Sequence, residues 1–352
     1  MNHDIQPLHR DDLPELSRFL KAGFHAPGDA PFAAEDVLLW KYFDPREADA
    51  NEEVPRSFVA RHPETRQIVG HLGVSTTRFH GGGLPGEGIP TLHMIDWLSS
   101  EAGKGVGALL MRRAHRSTTI QYGFGGSDIG RLVGGRGGYE LAAMVPVYLN
   151  VLRPLHRLRT PGLKLSRRLL RLGNDLARKL RRSPRRDRLK VDLEVVDAFG
   201  PEVNPWLDAY RSDAIFTSRD PSLLNHLLRY PRGGISGFQI VSRGQPRGFG
   251  MLTILNRPGG IREGRIVDCL LDDPHDLALQ QSAIQALTRE LHAQKADTAL
   301  AFGSTEWTAR ALERSGYSPA SPLEFRLRDR RKELPRDTPF HLTPIEADYS
   351  YT

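Results

Sequence analysis

The sequence predicts an α/β protein with a mixed (α+β) central sheet, present as two tandem domains of which the second is degenerate. Three observations predict it. Apolar runs of strand length alternate with amphipathic helical segments through both halves of the 352-residue chain. A strand, a glycine-rich turn and a helix follow one another across residues 91–111. Three short matches also recur in order. Ile95-Asp96-Trp97-Leu98 resembles Val267-Asp268-Cys269-Leu270, 172 positions later; Phe124-Gly125 matches Phe302-Gly303, and Gly138-Tyr139 matches Gly316-Tyr317, both 178 positions later. The six-residue change falls in the intervening turn and helix, a natural place for an insertion.

In chain order, Asp11-Asp12 opens a helix through Leu13, Leu16, Phe19 and Leu20, and residues 32–42 form a second that stops before Asp44-Pro45. Runs 57–61 and 68–75, separated by the turn-forming His62-Pro63-Glu64-Thr65, make a hairpin. Residues 78–90 read as a glycine-rich loop, 92–98 as a strand, 118–125 as another, 128–136 as a short glycine-weakened helix, and 139–152 as a last apolar run. The second half repeats the order: a hairpin of 238–242 and 249–255, a strand 265–271, a helix 277–293, a strand 298–302, a helix 305–314 and a strand 323–327. The expected domains are 1–152 and 191–340, joined by a basic segment at 153–190 and followed by a tail at 341–352.

Composition bounds the function. At 39% hydrophobic residues the chain has room for two ordinary cores. No apolar run approaches the ~20 residues of a membrane span. The opening residues lack a basic-then-apolar secretory pattern, so a cytoplasmic location is expected. One cysteine, Cys269, excludes an intrachain disulfide framework and a multi-cysteine metal site, and no metal is expected. The net charge of +7 is concentrated: 153–190 holds fifteen Lys and Arg against Asp175 and Asp187, a local +13, so the rest carries −6. Leu165, Leu169, Leu172, Leu176 and Leu180 recur there at helical spacing, up to Ser183-Pro184. This amphipathic helix reads as a linker whose leucines pack on a domain, or as a peripheral membrane contact through 161–182, membrane-associated on the cytoplasmic face. No aromatic is interleaved to stack bases, which counts against nucleic acid.

A glycine loop between a strand and a helix can cradle a phosphate on the free N–H groups of the first helical turn, although short glycine loops also serve as plain turns. Here the residues resemble a known family, the GCN5-related N-acetyltransferases. Their acyl-coenzyme A loop, Arg/Gln-x-x-Gly-x-Gly/Ala, falls on Ala102-Gly103-Lys104-Gly105-Val106-Gly107, and a polar residue eleven positions before a Gly-aromatic pair falls on Ser127 and Gly138-Tyr139. The likeness covers nearly the whole first half and the second in outline. Tandem copies are also similar to the two-lobed peptidoglycan aminoacyl-transferases.

The resemblance implies an acyl-CoA-dependent N-acyltransferase, with acetyl-CoA or another acyl-CoA as co-substrate and a small-molecule or glycan-type amine as acceptor, of an amino sugar or envelope precursor. Backbone at Trp97 and Leu98 would pair with the pantetheine arm, Gly103, Gly105, Val106 and Gly107 would hold the pyrophosphate with Lys104 nearby, and Ala102 and Ser127 complete the set. Ala102 replaces the family's Arg or Gln, Gly134 stands where a tyrosine acid is frequent, and Thr91 leaves no carboxylate at the common acid position. A general base must reach the amine proton directly or through water. Strand alternation puts His93 on the side of Thr91 and Trp97, and Asp96 on the other. His93 is thus the first candidate base, Asp96 the second, and Tyr139 or Tyr122 a candidate acid. Trp40 and Tyr42 are expected to line the acceptor cleft beside Lys41. The second half offers Asp272-Asp273-Pro274-His275-Asp276 instead of glycines, which would repel a diphosphate. The alternatives are a non-catalytic tandem module that binds a ligand or partner, and an aminoacyl-tRNA-dependent transferase.

Overall fold

A computed structural model describes residues 4–44, 55–126, 128–181, 189–347 and 350–351. The first half contains β1 (Asp4–Pro7), α1 (Leu13–Gly23), α2 (Glu35–Tyr42), β2 (Ser57–Arg61), β3 (Ile68–Gly81), β4 (Ile89–Ser99), α3 (Val106–Ala114), β5 (Ile120–Phe124), α4 (Asp128–Arg136), β6 (Glu140–Val145) and β7 (Val147–Val151). After α5 (Leu165–Arg181) come β8 (Val191–Val196), α6 (Val203–Asp208), β9 (Ile215–Thr217), α7 (Pro221–Leu228), β10 (Ile235–Ser242), β11 (Gln245–Arg257), β12 (Ile261–Leu271), α8 (Leu277–Ala293), β13 (Thr298–Phe302), α9 (Glu306–Arg314), β14 (Ser318–Pro319) and β15 (Leu323–Asp329).

These strands make two mixed sheets of the same plan. The first runs β1-β2-β3-β4-β5-β15-β6 and the second β8-β10-β11-β12-β13-β7-β14. In each, an antiparallel meander leads to one parallel pair, β4 with β5 and β12 with β13. Helix α3 packs on the first sheet and α8 on the second. Two tandem copies of one mixed α/β fold are present. Gly138 and Gly316 even share a left-handed backbone, φ 89° and 88°.

The sheets do not divide at residue 152. Strand β7, from the first half, is inserted between β13 and β14 of the second sheet, while β15 is inserted between β5 and β6 of the first. The apolar run at 139–152 is therefore two strands on two sheets, broken at Pro146, which cannot donate to a ladder. The expected loop at 78–90 is shorter, because β3 continues to Gly81 by pairing with β4 and then with β9. Turn residues 82–88 remain, including a left-handed Gly88 whose added Cβ would meet the Phe79 carbonyl at 2.6 Å.

The exchange leaves the halves sharing their cores. Phe79, Ile120 and Tyr122 cluster with Val147, Phe302 and Phe325, and α2 contributes Val37 and Trp40 to a cluster with Trp206, Tyr210 and Phe249. Below them Arg219, fully buried, binds Asp268 at 2.6 Å and Glu346 at 2.5 Å. Cys269 is packed beside Asp268, its thiol pushed well up by burial. Among the described residues, no helix is long and apolar enough to cross a membrane.

Candidate functional site

The site begins with an irregularity in β4. Gly73 pairs with Ile95 and His71 with Leu98, so two residues, Asp96 and Trp97, oppose the single Leu72. This is a β-bulge, and Asp96 adopts the left-handed region at φ 49°. The bulge overturns the expected alternation. Asp96 shares the α2 side of the sheet with His93 and Ile95: its Oδ2 accepts from Lys41 Nζ (2.9 Å) and from the Tyr42 hydroxyl (2.6 Å). Trp97 turns to the opposite side, packs with Val106 and Leu110, and donates its indole N–H to the Gly107 carbonyl at 3.2 Å. Strand alternation assumes one residue per step on each strand, which a bulge violates.

Parallel pairing of β4 with β5 ends at His93 and Tyr122. Beyond that point the strands part around a cleft of about 440 Å³, with Met94 to Trp97 on one wall and Gly123 to Gly126 on the other. Phe24 and Phe32, edge to face at 5.7 Å, stand at one side, and Arg131 and Arg326 at the other. Arg326 belongs to the exchanged strand β15, so the second half contributes to this cleft. His93 stacks flat on Tyr122 (4.7 Å between centroids, 3° between planes) at the cleft's inner end. It also borders a small cavity of about 40 Å³ between the halves, with Lys41, Leu223, Ile345 and Tyr351. His93 thus stands between the cleft and the space behind it.

Beside Trp97 lies the start of α3. Glu101–Gly103 make a single 3₁₀ turn, and a Cβ on Gly103 would meet the Val69 carbonyl at 2.5 Å. Gly105 occupies the N-cap position at φ 87°, a conformation that favours glycine, and offers no side-chain oxygen to the helix. The Ala108 N–H donates back to the Gly105 carbonyl at 3.2 Å, whereas the N–H groups of Val106 and Gly107, the first two of α3, have no intrahelical acceptor, and Lys104 is exposed next to them. Gly70 lets α3 approach the sheet, since a Cβ there would meet Val106 at 2.4 Å. The second half closes the equivalent place: the Asp276 carboxylate caps α8, accepting from Ala278 N and Leu279 N. One helix start is filled by its own carboxylate, and the other has no side-chain cap.

The other candidates are placed as follows. Ala102 is exposed on the loop. Leu98 faces away from the cleft, against Gly23 at the end of α1. Ser127 lies outside the described residues. Tyr139 borders the cleft, but its hydroxyl is buried and committed, donating to Gln121 Oε1 at 2.6 Å and touching Met94 Sδ at 3.0 Å. Burial raises its pKa far above the ordinary value, so it holds its proton. Trp40, expected at the acceptor cleft, is in the core shared by the halves: it stacks on His226 at 4.5 Å and donates to the His226 carbonyl at 3.0 Å. Tyr42 lies beneath the bulge, where Gly73 makes room for its hydroxyl.

Sequence reasoning missed His71. It is fully buried below the bulge, one ring nitrogen 2.8 Å from Ser57 Oγ and the other 2.9 Å from the Asp96 carbonyl. Burial lowers its pKa to about 4, so it is neutral. Asp96 stays ionised, held below the ordinary carboxylate range by Lys41 and Tyr42 against the opposing effect of burial. No spacing signal could have found this group, because its members come from α2, β2, β3 and β4. A second cavity, about 470 Å³, lies on the other sheet between β7, α8 and α5. Its lining includes Asn150, Asp175, Thr288 and Arg289.

Comparison with solved structures finds the same fold. A GCN5-related N-acetyltransferase from Anabaena variabilis ATCC 29413 aligns with a TM-score of 0.60 at 12% identity, over 93% of this chain and 72% of that one. Saccharomyces cerevisiae N-myristoyltransferase with bound myristoyl-CoA aligns with a TM-score of 0.60 at 11% identity, over 93% and 82%. A probable N-acyltransferase from Enterococcus faecalis V583 gives 0.57 at 14%, over 93% and 72%. No protein-family model and no curated protein sequence matches the chain. The fold expected from the residues, that of tandem GCN5-related N-acetyltransferases, is the fold observed.

Proposed function

We propose that this chain, with its tandem acyltransferase fold, transfers an acyl group from acyl-coenzyme A to an amine. The observation that carries the reading is the contrast between the two helix starts, Gly105 open beside the cleft and Asp276 closing its twin. A diphosphate would accept from the first N–H groups of α3, with Lys104 adding a positive charge. The open edge of β4 past His93 offers backbone groups to an extended amide-bearing arm. Bound acyl-CoA supplies an activated thioester: the amine nitrogen forms the new C–N bond, the C–S bond breaks, and the thiolate leaves. His93, which lines the inner end of the cleft, would take the amine proton directly or through water. Asp96 acts through the fold, since its carboxylate is occupied by Lys41 and Tyr42. The acceptor we favour is a small or glycan-type amine.

The test is calorimetric titration with acetyl-CoA. Gly105→Asp places a carboxylate at the helix start as Asp276 does, whereas Gly105→Asn has nearly the same shape without the charge; both tolerate a left-handed backbone. We expect Asp to weaken binding by roughly tenfold or more relative to Asn. No binding by the native chain, or equal binding by the two variants, overturns the assignment. Release of free coenzyme A with a panel of amines, lost in His93→Ala while acetyl-CoA binding persists, separates a transferase from a binding module.

A further inference from the structure

Among the described residues, six of the twelve exposed large hydrophobic side chains fall within 155–176: Leu155, Leu158, Leu165, Leu169, Leu170 and Leu176, exposed by 38–67%. They lie on the 3₁₀ turn Pro154–Arg159 and on α5. Leu165, Leu169, Leu172 and Leu176 form one stripe along the helix. A linker helix would press that stripe onto a domain, and here it is turned outward. What faces inward is polar. Asp175 is buried and bonded to Arg157 at 2.6 Å, and Arg168 donates to the carbonyls of Leu163 (2.9 Å) and Leu158 (2.7 Å). Residues 153–175 hold seven Lys and Arg against that single acid. Arg157 is neutralised by Asp175 and Arg159 by Asp297 at 2.7 Å; of the other five, Arg168 is bonded as above and Arg153 donates to the His292 carbonyl at 3.1 Å, which leaves Lys164, Arg167 and Arg171 beside the leucines.

We propose that Pro154–Arg159 and α5 form a docking surface for an anionic lipid bilayer. The leucines enter the boundary between headgroups and acyl chains while the arginines and Lys164 meet lipid phosphates. Charge complementarity selects this occupant. A second copy of the chain would bring the same cations against one another, and a nucleic acid would leave the leucine stripe in water. The surface is independent of the transferase reading.

Co-sedimentation of the full chain with vesicles of phosphatidylcholine, with and without phosphatidylserine, tests it. Anionic vesicles should bind roughly tenfold or more tightly, and salt should weaken the binding. Leu169→Gln with Leu176→Gln, which leaves the charge unchanged, should weaken binding by about tenfold or more. Arg167→Gln with Arg171→Gln should weaken it by about tenfold and reduce its salt dependence. These side chains are outside the core, so thermal melting checks that the variants fold. Absence of binding, equal binding to neutral and anionic vesicles, or anionic binding indifferent to the leucines overturns the proposal. So does a native dimer that ignores vesicles and becomes monomeric in the leucine variant. A chain that ignores vesicles and still binds acetyl-CoA removes this proposal alone.

Discussion

A left-handed backbone at a non-glycine residue such as Asp96 costs on the order of 1 kcal/mol. Bonds from Tyr42 and Lys41 to its carboxylate hold it there, and the Lys41 side chain is 1% exposed. Removing one member of a buried ion pair leaves the other uncompensated in the interior. Asp96→Asn should therefore destabilise the chain by about 3 kcal/mol, and adding Lys41→Met should recover part of that loss in urea unfolding. His71 beneath gives a pH signature. Its pKa is about 4 in the fold against an ordinary 6.5, so between those values the unfolded chain binds a proton that the folded chain refuses. Its contribution is complete above pH 6.5 and is lost as pH falls toward 4, by up to about 1.4 kcal/mol per pH unit. His71→Gln should lack this share of the acid sensitivity, seen as a stability difference from the native chain that shifts in the variant's favour as pH falls across that window.

At the scale of elements, the strand-loop-helix unit was legible because glycine spacing and apolar periodicity are local properties. Gly103, Gly105 and Gly107 lie where the sequence put them, and Gly105 has the backbone that only glycine adopts easily. The sides of β4 were not legible. A bulge depends on how β3 and β4 register, and Asp96 is tied to residues 54 and 55 positions away. Helix α4 carries glycines that weaken it, as its sequence implies. At Gly135 a Cβ would meet nothing within 4 Å. Gly135→Ala, in the last turn of α4, should stabilise the chain by roughly 0.4–1 kcal/mol in thermal or urea unfolding, since alanine restricts the unfolded chain where the native backbone accepts it.

For the molecule as a whole, the exchange of β7 and β15 makes each half incomplete. Residues 1–152 alone would lack the strand that pairs with both β5 and β6, and would leave Phe79 and Tyr122 without Phe325 and Phe302. That fragment should show no cooperative melting transition by itself, whereas co-expression with 153–352 should return a complex that purifies together. A cooperative melt by the lone fragment would contradict this account. The cleft depends on the same exchange, because Arg326 and the pairing that fixes β5 arrive from the second half.

The sequence by itself determined the periodic elements, the repeat, the glycine loop and the concentration of charge at 153–190, since each is written in neighbouring residues. It also marked the acidic run at 272–276 that stands where the first half has glycines, although the capping of α8 by Asp276 is seen only in the structure. Only the tertiary structure decided which strands share a sheet, that Asp96 and His93 face one side, that Trp40 belongs to the core, and that the leucines of α5 point outward. Those properties arise from pairing and packing between distant segments. There, hydrogen-bond register and buried apolar contact outweigh local alternation.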